Sequence, residues 1–100
     1  MNRHLTSLIT LGLSAVVASS VCAAADQLAY FGTYTGGKSA SRGIYVAGFD
    51  SKTGKLETPA LAAESRSPSF GTLAPSKKFL YAVSEGNGNE GGVRSFAIDV

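Results

Sequence analysis

The side chains available for chemistry change sharply after residue 25. The only His (His4) and the only Cys (Cys22) both lie in the first 25 residues. Residues 26–100 hold eight Lys or Arg and seven Asp or Glu, with no imidazole and no thiol. A Ser-His-Asp or Cys-His catalytic site is therefore impossible in that part. Carboxylates that orient a water molecule, and Arg or Lys that bind an anionic group, are the chemistry that remains.

The composition excludes several classes of protein. With 44% hydrophobic and 16% charged residues, the chain is too apolar and too weakly charged to be intrinsically disordered. A net charge of +2 gives no electrostatic basis for binding nucleic acid. One Cys excludes an internal disulfide framework and a Cys-cluster zinc site. Twelve Gly, nine aromatic residues and no Trp are typical of a turn-rich β protein.

The first 25 residues have the pattern of a secretory signal peptide. A short positive start at Arg3 precedes an apolar run of about 13 residues from Leu5 to Val17, which is too short to span a bilayer. Small residues at 23–25 predict cleavage after Ala25, with a lipoprotein anchor at Cys22 as the lesser alternative because bulky Val21 precedes it. We therefore expect a periplasmic or secreted protein with no membrane contact after cleavage.

Residues 26–100 have the pattern of short strands separated by turns. Runs rich in Val, Ile, Tyr, Phe and Thr alternate with clusters of Gly, Pro, Ser and Asn, and no segment keeps a 3.6-residue period. The predicted strands cover residues 28–34, 43–49, 55–62, 69–74, 79–84 and 92–98. Residues 43–49 are apolar on both faces, which predicts sheets stacked against neighbours on each side.

The predicted strands repeat at a spacing of about 50 residues. Leu28-Ala29-Tyr30 corresponds to Phe79-Leu80-Tyr81 at a spacing of 51, and Gly43-Ile44 corresponds to Gly92-Val93 at a spacing of 49. About four strands in each such unit are typical of a β-propeller blade, the alternative being two unrelated hairpins of similar composition.

The phase of the repeat predicts about one and a half blades. The first unit supplies the second, third and fourth strands of a blade, and the second unit supplies the first, second and third strands of the next. Because a propeller needs at least four blades, residues 26–100 are predicted to be the N-terminal part of a protein of roughly 350–400 residues.

The order of several short motifs resembles the opening of a known family. The first group is residues 30–35 (Tyr-Phe-Gly-Thr-Tyr-Thr), 43–46 (Gly-Ile-Tyr-Val) and 50–56 (Asp-Ser-Lys-Thr-Gly-Lys-Leu). The second group is residues 67–70, 73–75, 79–85 and 91–93, which are similar to the family's Asn-Pro-Ser-Phe, Ser-Pro-Asp-Gly and Tyr-Ala-Val-Asn-Glu segments. Together they resemble the seven-bladed lactonase family, which includes propeller-type 6-phosphogluconolactonases and relatives of 3-carboxymuconate cyclase. The resemblance covers nearly all of residues 28–100.

Three positions depart from the family pattern. Ser67 stands where Asn is usual, Ser76-Lys77 replaces Asp-Gly, and Ser84 replaces Asn. If residue 77 needs a left-handed backbone, as the family's glycine implies, Lys77 costs about 1 kcal/mol of stability. These departures leave the predicted fold unchanged.

Propeller topology gathers the candidate site residues on one face. Residues 35–42, 63–67 and 85–91 are expected on that face, and residues 50–54 and 75–78 on the opposite one. Glu85 closes an inner strand beside the central channel, so the resemblance and the topology both favour it as the catalytic carboxylate, with a structural role in the Gly-rich loop as the alternative. Arg66 and Lys38 are candidate anion binders, and Tyr34 is a candidate for the channel mouth; solvated loop charges and a core aromatic are the alternatives.

We therefore expect an exported lactonase-like hydrolase acting on a sugar lactone or related cyclic ester, present here as an N-terminal fragment that is inactive alone. A cycloisomerase of the muconate type belongs to the same class, and the alternative is a non-enzymatic exported propeller that binds or scaffolds. The expected partners are a small-molecule lactone and the remaining blades, with no cofactor, no metal and no nucleic acid.

Overall fold

The computed structural model of the chain describes residues 5–7, 25–86 and 91–99. In these ranges every regular element is a β-strand, so the all-β prediction is confirmed. The strands are β1 (Leu5–Ser7), β2 (Gln27–Phe31), β3 (Gly43–Asp50), β4 (Lys55–Leu56), β5 (Ala60–Glu64), β6 (Gly71–Leu73), β7 (Phe79–Ser84) and β8 (Gly92–Ile98). A helix of the length and apolarity needed to cross a membrane does not occur in these ranges.

The strands form two antiparallel sheets that follow the chain order. In the first sheet β2 pairs with one edge of β3, while β4 and β5 pair with the other edge. In the second sheet the order is β6, β7, β8 and then β1. The order of β2 to β8 matches the predicted assignment to the second, third and fourth strands of one blade and the first, second and third of the next.

The pairing register between β2 and β3 in the first sheet is the same as that between β7 and β8 in the second sheet. When two residues pair in the first sheet, the residues at the equivalent repeat positions pair in the second sheet. The pairs are Leu28↔Gly48 and Tyr30↔Val46 in the first sheet, and Phe79↔Ala97 and Tyr81↔Ser95 in the second. Because a slip of one residue would turn every side chain to the other face, this agreement confirms that the repeat is structural and not a coincidence of composition.

Four predicted strands have different bounds in the structure, and for residues 43–49 the difference is one residue, since β3 ends at Asp50. The predicted strand 55–62 is divided into β4 and β5, because Pro59 has no N–H to donate and restricts the backbone of Thr58 before it. The predicted strands 28–34 and 69–74 are shortened to β2 and β6. Beyond Phe31 the chain no longer pairs with β3 through its backbone, and the Thr33 hydroxyl donates instead to the Gly43 carbonyl at 2.7 Å.

The hydrophobic core lies between the two sheets. Its buried members come from both sheets and from β1, and they are Leu5, Ile44, Val46, Ala62, Leu80, Ala82 and Phe96. Strand β3 is buried on both faces along most of its length, as its two-sided apolar pattern predicts. The stacking of sheets expected from the sequence is therefore present.

The outer edge of β8 is occupied by β1, in the place of a fourth blade strand. Leu5 pairs with Ile98 and Ser7 with Phe96, and Leu5 is buried in the core. The sequence predicts no fourth strand for this sheet and assigns residues 1–25 to an export signal. The free N–H and C=O groups of an edge strand and the apolar Leu5 side chain explain the pairing physically. Cleavage after Ala25 stays a prediction.

The turn between β6 and β7 contains the expected left-handed residue. The Lys77 N–H donates to the Ala74 carbonyl at 2.8 Å, which closes the turn that contains Pro75. Lys77 has a φ of +61°, so the condition under which Lys77 costs stability, a left-handed backbone at this position, is met. A side chain is strained in this region of backbone conformation, and glycine is not.

We expect Lys77→Gly to stabilise the protein by about 0.5–1 kcal/mol, because relief of the strain exceeds the backbone entropy that glycine adds to the unfolded chain. Denaturant unfolding of the protein expressed from its complete reading frame measures the change. Lys78→Gly is the matched control, since Lys78 is an adjacent exposed lysine without a positive φ, and it is expected to destabilise. Equal effects of the two substitutions would contradict the prediction.

Candidate functional site

Loops from both sheets meet on one face of the molecule through Thr35 and Ser67. Thr35 follows β2, and Ser67 lies between β5 and β6. The Thr35 N–H donates to the Ser67 hydroxyl at 3.0 Å, and the Ser67 N–H donates to the Thr35 hydroxyl at 2.9 Å. The Ser67 hydroxyl also donates to the Thr35 carbonyl at 3.3 Å. These reciprocal bonds join two loops that the propeller topology predicts on the same face.

The backbone of Ser67 connects this pair to Glu85. The Ser67 carbonyl accepts the N–H of Ser69 at 2.8 Å and the N–H of Glu85 at 3.3 Å. Ser67 is buried and has a φ of +38°, a conformation that is uncommon for residues other than glycine and asparagine. The family's usual Asn at this position tolerates that conformation better than Ser does. The strained turn therefore places the backbone N–H groups of Ser69 and Glu85 on the same acceptor, the Ser67 carbonyl oxygen.

Glu85 is exposed, and its carboxylate is held by a neighbouring hydroxyl. The Ser69 hydroxyl donates to the Oε2 atom of Glu85. Ser69 is half-buried, just before β6, and Glu85 directly follows β7. Sequence reasoning selected Glu85 and missed Ser69. The sequence signal that could have indicated Ser69 is its position in residues 67–70 (Ser-Pro-Ser-Phe), where a second hydroxyl precedes an inner strand.

The other predicted site residues lie in loops near this face. Tyr34 is 65% exposed, and its carbonyl accepts the Ser39 hydroxyl at 2.9 Å, so it is not a core aromatic. Lys38 is exposed in the loop that follows. Arg66 is exposed and directly precedes Ser67. Residues 87–90 of the Gly-rich loop, in which Glu85 has its alternative structural role, lie outside the described residues. Substrate contact by Tyr34, Lys38 and Arg66 stays a prediction.

An exposed ion pair links the loop that precedes β3 to the end of β5. The Arg42 guanidinium donates to the Glu64 carboxylate, and the two side chains are 62% and 67% exposed. A pair this open to solvent contributes little to stability, typically under about 1 kcal/mol. Glu64 is therefore a second carboxylate near this face, and it forms a solvent-exposed ion pair with Arg42.

Two shifted pKa values belong to groups away from Glu85. Hydrogen bonds from the Ser51 hydroxyl and the Ser51 N–H lower the pKa of Asp26, which is exposed beside the loop after β3. Burial raises the pKa of Tyr30, whose hydroxyl has no hydrogen-bond partner among the described residues. Asp26 is thus bonded to Ser51, and the Tyr30 hydroxyl forms no hydrogen bond to Thr35, Ser67, Ser69 or Glu85 in the described part of the chain.

A cavity among the described residues lies between the two sheets, and Glu85 is not among its lining residues. It has a volume of about 220 Å³, and its lining includes Leu28, Tyr30, Leu73 and Leu80. Ser69 does not line it either, although the preceding Pro68 does, and Glu85 is exposed to solvent. The described residues contain no group of three His, Cys, Asp or Glu side chains that could hold a metal ion. The chemistry that this arrangement supports is orientation of a water molecule by a fixed carboxylate.

Two stacked antiparallel sheets with one repeated register are blades of a β-propeller. The family model described as "Lactonase, 7-bladed beta-propeller" matches residues 28–100. The chain belongs to this lactonase family, and its sheets are blades of a seven-bladed propeller.

A curated relative carries the name of an enzyme. The chain is 35% identical over 72 residues to a protein named 6-phosphogluconolactonase from Bacillus subtilis (strain 168). The aligned region is 72% of this chain and 20% of the relative, so the chain spans about a fifth of the length of that relative. No solved structure matches the chain significantly.

Proposed function

We propose that the protein is an exported lactonase-type hydrolase that opens a sugar lactone or a related cyclic ester. Membership of the lactonase family is the observation that carries this proposal, and the name of the Bacillus subtilis relative supports it. Export is proposed from the signal-like residues 1–25. An exported enzyme favours a lactone without a phosphate group, because phosphorylated sugar lactones are intracellular metabolites.

We assign Glu85 the role of orienting and deprotonating the attacking water. The water oxygen adds to the lactone carbonyl carbon, the ester C–O bond breaks, and the leaving alkoxide takes a proton to give a hydroxy acid. One water is consumed, and Glu85 is regenerated when it returns its proton. Arg66 and Lys38 are proposed to bind an anionic group of the substrate, and Tyr34 to contact its ring.

The activity is proposed for the whole propeller and not for this chain alone. The relative is about five times longer than the region it shares with this chain, and the channel mouth of a propeller is built by loops from all blades. The outer face of the second sheet also exposes apolar side chains, with Phe70 at 72% and Val93 at 70% exposure. We propose that further blades cover this face and supply the remaining catalytic groups.

Replacing Glu85 by glutamine tests the proposal, because glutamine keeps the shape of the side chain and removes its basicity. The protein is expressed from its complete reading frame with its leader, the exported form is checked for Asp26 at its N-terminus, and hydrolysis of gluconolactone and related lactones is measured. We expect Glu85→Gln to lower kcat/KM by about 100-fold, the usual size of a general-base contribution.

Glu64→Gln is the matched control, since it changes an exposed carboxylate that forms a surface ion pair, and it is expected to leave hydrolysis unchanged. Absence of hydrolysis on every lactone tried would overturn the enzyme proposal and favour a binding propeller. Full activity in Glu85→Gln would contradict the assignment of Glu85 as the general base and would leave the proposed lactonase activity unaffected.

A further inference from the structure

We propose that Ser69 is the positioning residue that fixes the Glu85 carboxylate for catalysis. The proposal rests on the lactonase function and on the role of Glu85 given above. Ser69 is a residue for which the sequence alone predicts no role. Its hydroxyl binds one carboxylate oxygen of Glu85, so that the other oxygen is directed to the water.

The hydrogen bond from Ser69 to Glu85 fits this role. The Ser69 hydroxyl donates to Oε2, which leaves Oε1 able to accept a proton from water. A neutral hydroxyl bound to a charged carboxylate forms a charge-assisted bond, which is stronger than a bond between two neutral groups. Because Glu85 is exposed and its side chain has three rotatable bonds, it would otherwise sample many orientations. The bond to Ser69 therefore selects one orientation.

The backbone around Ser69 and Glu85 is held at the same point. Both of their N–H groups bind the Ser67 carbonyl, and the adjacent Val83 N–H binds the Phe70 carbonyl at 2.9 Å. The Ser69 and Glu85 side chains consequently start from fixed positions beside the paired ends of β6 and β7. Only the Glu85 side chain needs a further constraint, and the Ser69 hydroxyl supplies it.

The Ser67 turn that carries this arrangement is itself strained and clamped. Its φ of +38° is unfavourable for serine, and reciprocal hydrogen bonds to Thr35 from the neighbouring sheet hold it. Residues in unfavourable backbone conformations persist where surrounding contacts determine them, and they are concentrated at functional sites. Thr35 therefore holds Ser67, the Ser67 carbonyl holds the Ser69 backbone, and the Ser69 hydroxyl holds the Glu85 carboxylate.

Ser69→Ala removes the hydroxyl and tests the assignment. In the protein expressed from its complete reading frame, we expect kcat for gluconolactone to fall about tenfold, with KM changed less than twofold, because loss of a hydrogen bond to a charged group is of this size. Ser69→Thr keeps the hydroxyl and is expected to recover most of the lost kcat. Ser76→Ala, in the exposed turn after β6, is the control for removal of a serine hydroxyl elsewhere.

The double variant Ser69→Ala/Glu85→Gln separates positioning from an independent effect. If Ser69 acts through Glu85, the double variant has the same kcat as Glu85→Gln alone, since residues that act as a unit are not additive. Additive losses of kcat in the double variant would overturn the proposal. A loss of kcat in Ser69→Ala that Ser69→Thr does not recover would also overturn it. So would wild-type kcat in Ser69→Ala when Glu85→Gln is impaired. In the last case the proposed function would stand, whereas a wild-type protein without lactone hydrolysis would overturn both.

Discussion

Replacement of Gly43 by alanine is expected to lower the free energy of unfolding by about 4 kcal/mol, because backbone strain and steric overlap act together. Gly43 begins β3 with a φ of +155°, which side chains rarely adopt. A Cβ atom there would overlap the Ala63 carbonyl oxygen and lie 2.7 Å from the Ser65 nitrogen. These are backbone atoms, so relief requires movement of the chain at the end of β5.

The crowding at Gly43 follows from how β5 pairs with β3. Gly43 faces Glu64 in the ladder, directly before the register shift between Ile44 and Tyr45. The Gly43 carbonyl also accepts the Thr33 hydroxyl at 2.7 Å, which ties this point to the segment after β2. A shift of the backbone at Gly43 therefore disturbs both neighbouring strands of the first sheet.

Gly54→Ala is the matched control for Gly43→Ala. Gly54 also has a positive φ, of +77°, but apart from Gly54 and its two chain neighbours no residue has an atom within 4 Å of the position its Cβ would take. Strain alone is expected there, at about 1 kcal/mol. Denaturant unfolding of the protein expressed from its complete reading frame measures both variants. The prediction fails if the two substitutions destabilise equally.

The second large effect is expected at Phe96, where substitution by alanine should destabilise by about 4 kcal/mol. Phe96 is 2% exposed and is among the largest fully buried side chains of the described residues. It lies on β8, in the core shared by Ile44 and Val46 of the first sheet and Leu80 of the second. Its removal leaves a cavity between two sheets that are both held by backbone ladders and cannot easily close it.

Two further variants separate cavity formation at Phe96 from other effects. Phe96→Leu keeps most of the volume and is expected to cost about 1–1.5 kcal/mol. Arg94→Ala removes the guanidinium that lies 5.6 Å from the centre of the Phe96 ring, and a cation–π contact at an exposed position contributes no more than about 1 kcal/mol. Thermal and denaturant unfolding would contradict the prediction if Phe96→Leu were as damaging as Phe96→Ala.

Much of the fold was predictable because strand patterns are local. The predicted strands 79–84 and 92–98 coincide with β7 and β8, and the predicted start of the third strand of the first blade coincides with that of β3. The division of the predicted strand 55–62 also had a local signal in Pro59, which cannot donate to a ladder and marks an interruption. The pairing of Leu5 with β8 had no such signal, since it joins residues at opposite ends of the chain.

The candidate site was predictable in part. Glu85 and the loop ending at Ser67 were expected on one face because propeller topology alone determines which loops share a face. The bond from Ser69 to Glu85 was not predictable, because it depends on the direction of two side chains that flank the ends of β6 and β7. That direction is set by the Ser67 turn, whose positive φ is unusual for serine and is not indicated by residue type.

The absence of histidine and thiol chemistry after residue 25, the alternation of strands with turns and the repeat of the unit can all be read from the order of the residues. These properties depend on residue type and on spacing along the chain. Folding brings Thr35 and Ser67, which are 32 residues apart, into reciprocal hydrogen bonds, and it places the Ser69 hydroxyl against Glu85. Such contacts require two sheets to be stacked in a particular register, and no local preference of the chain specifies that arrangement.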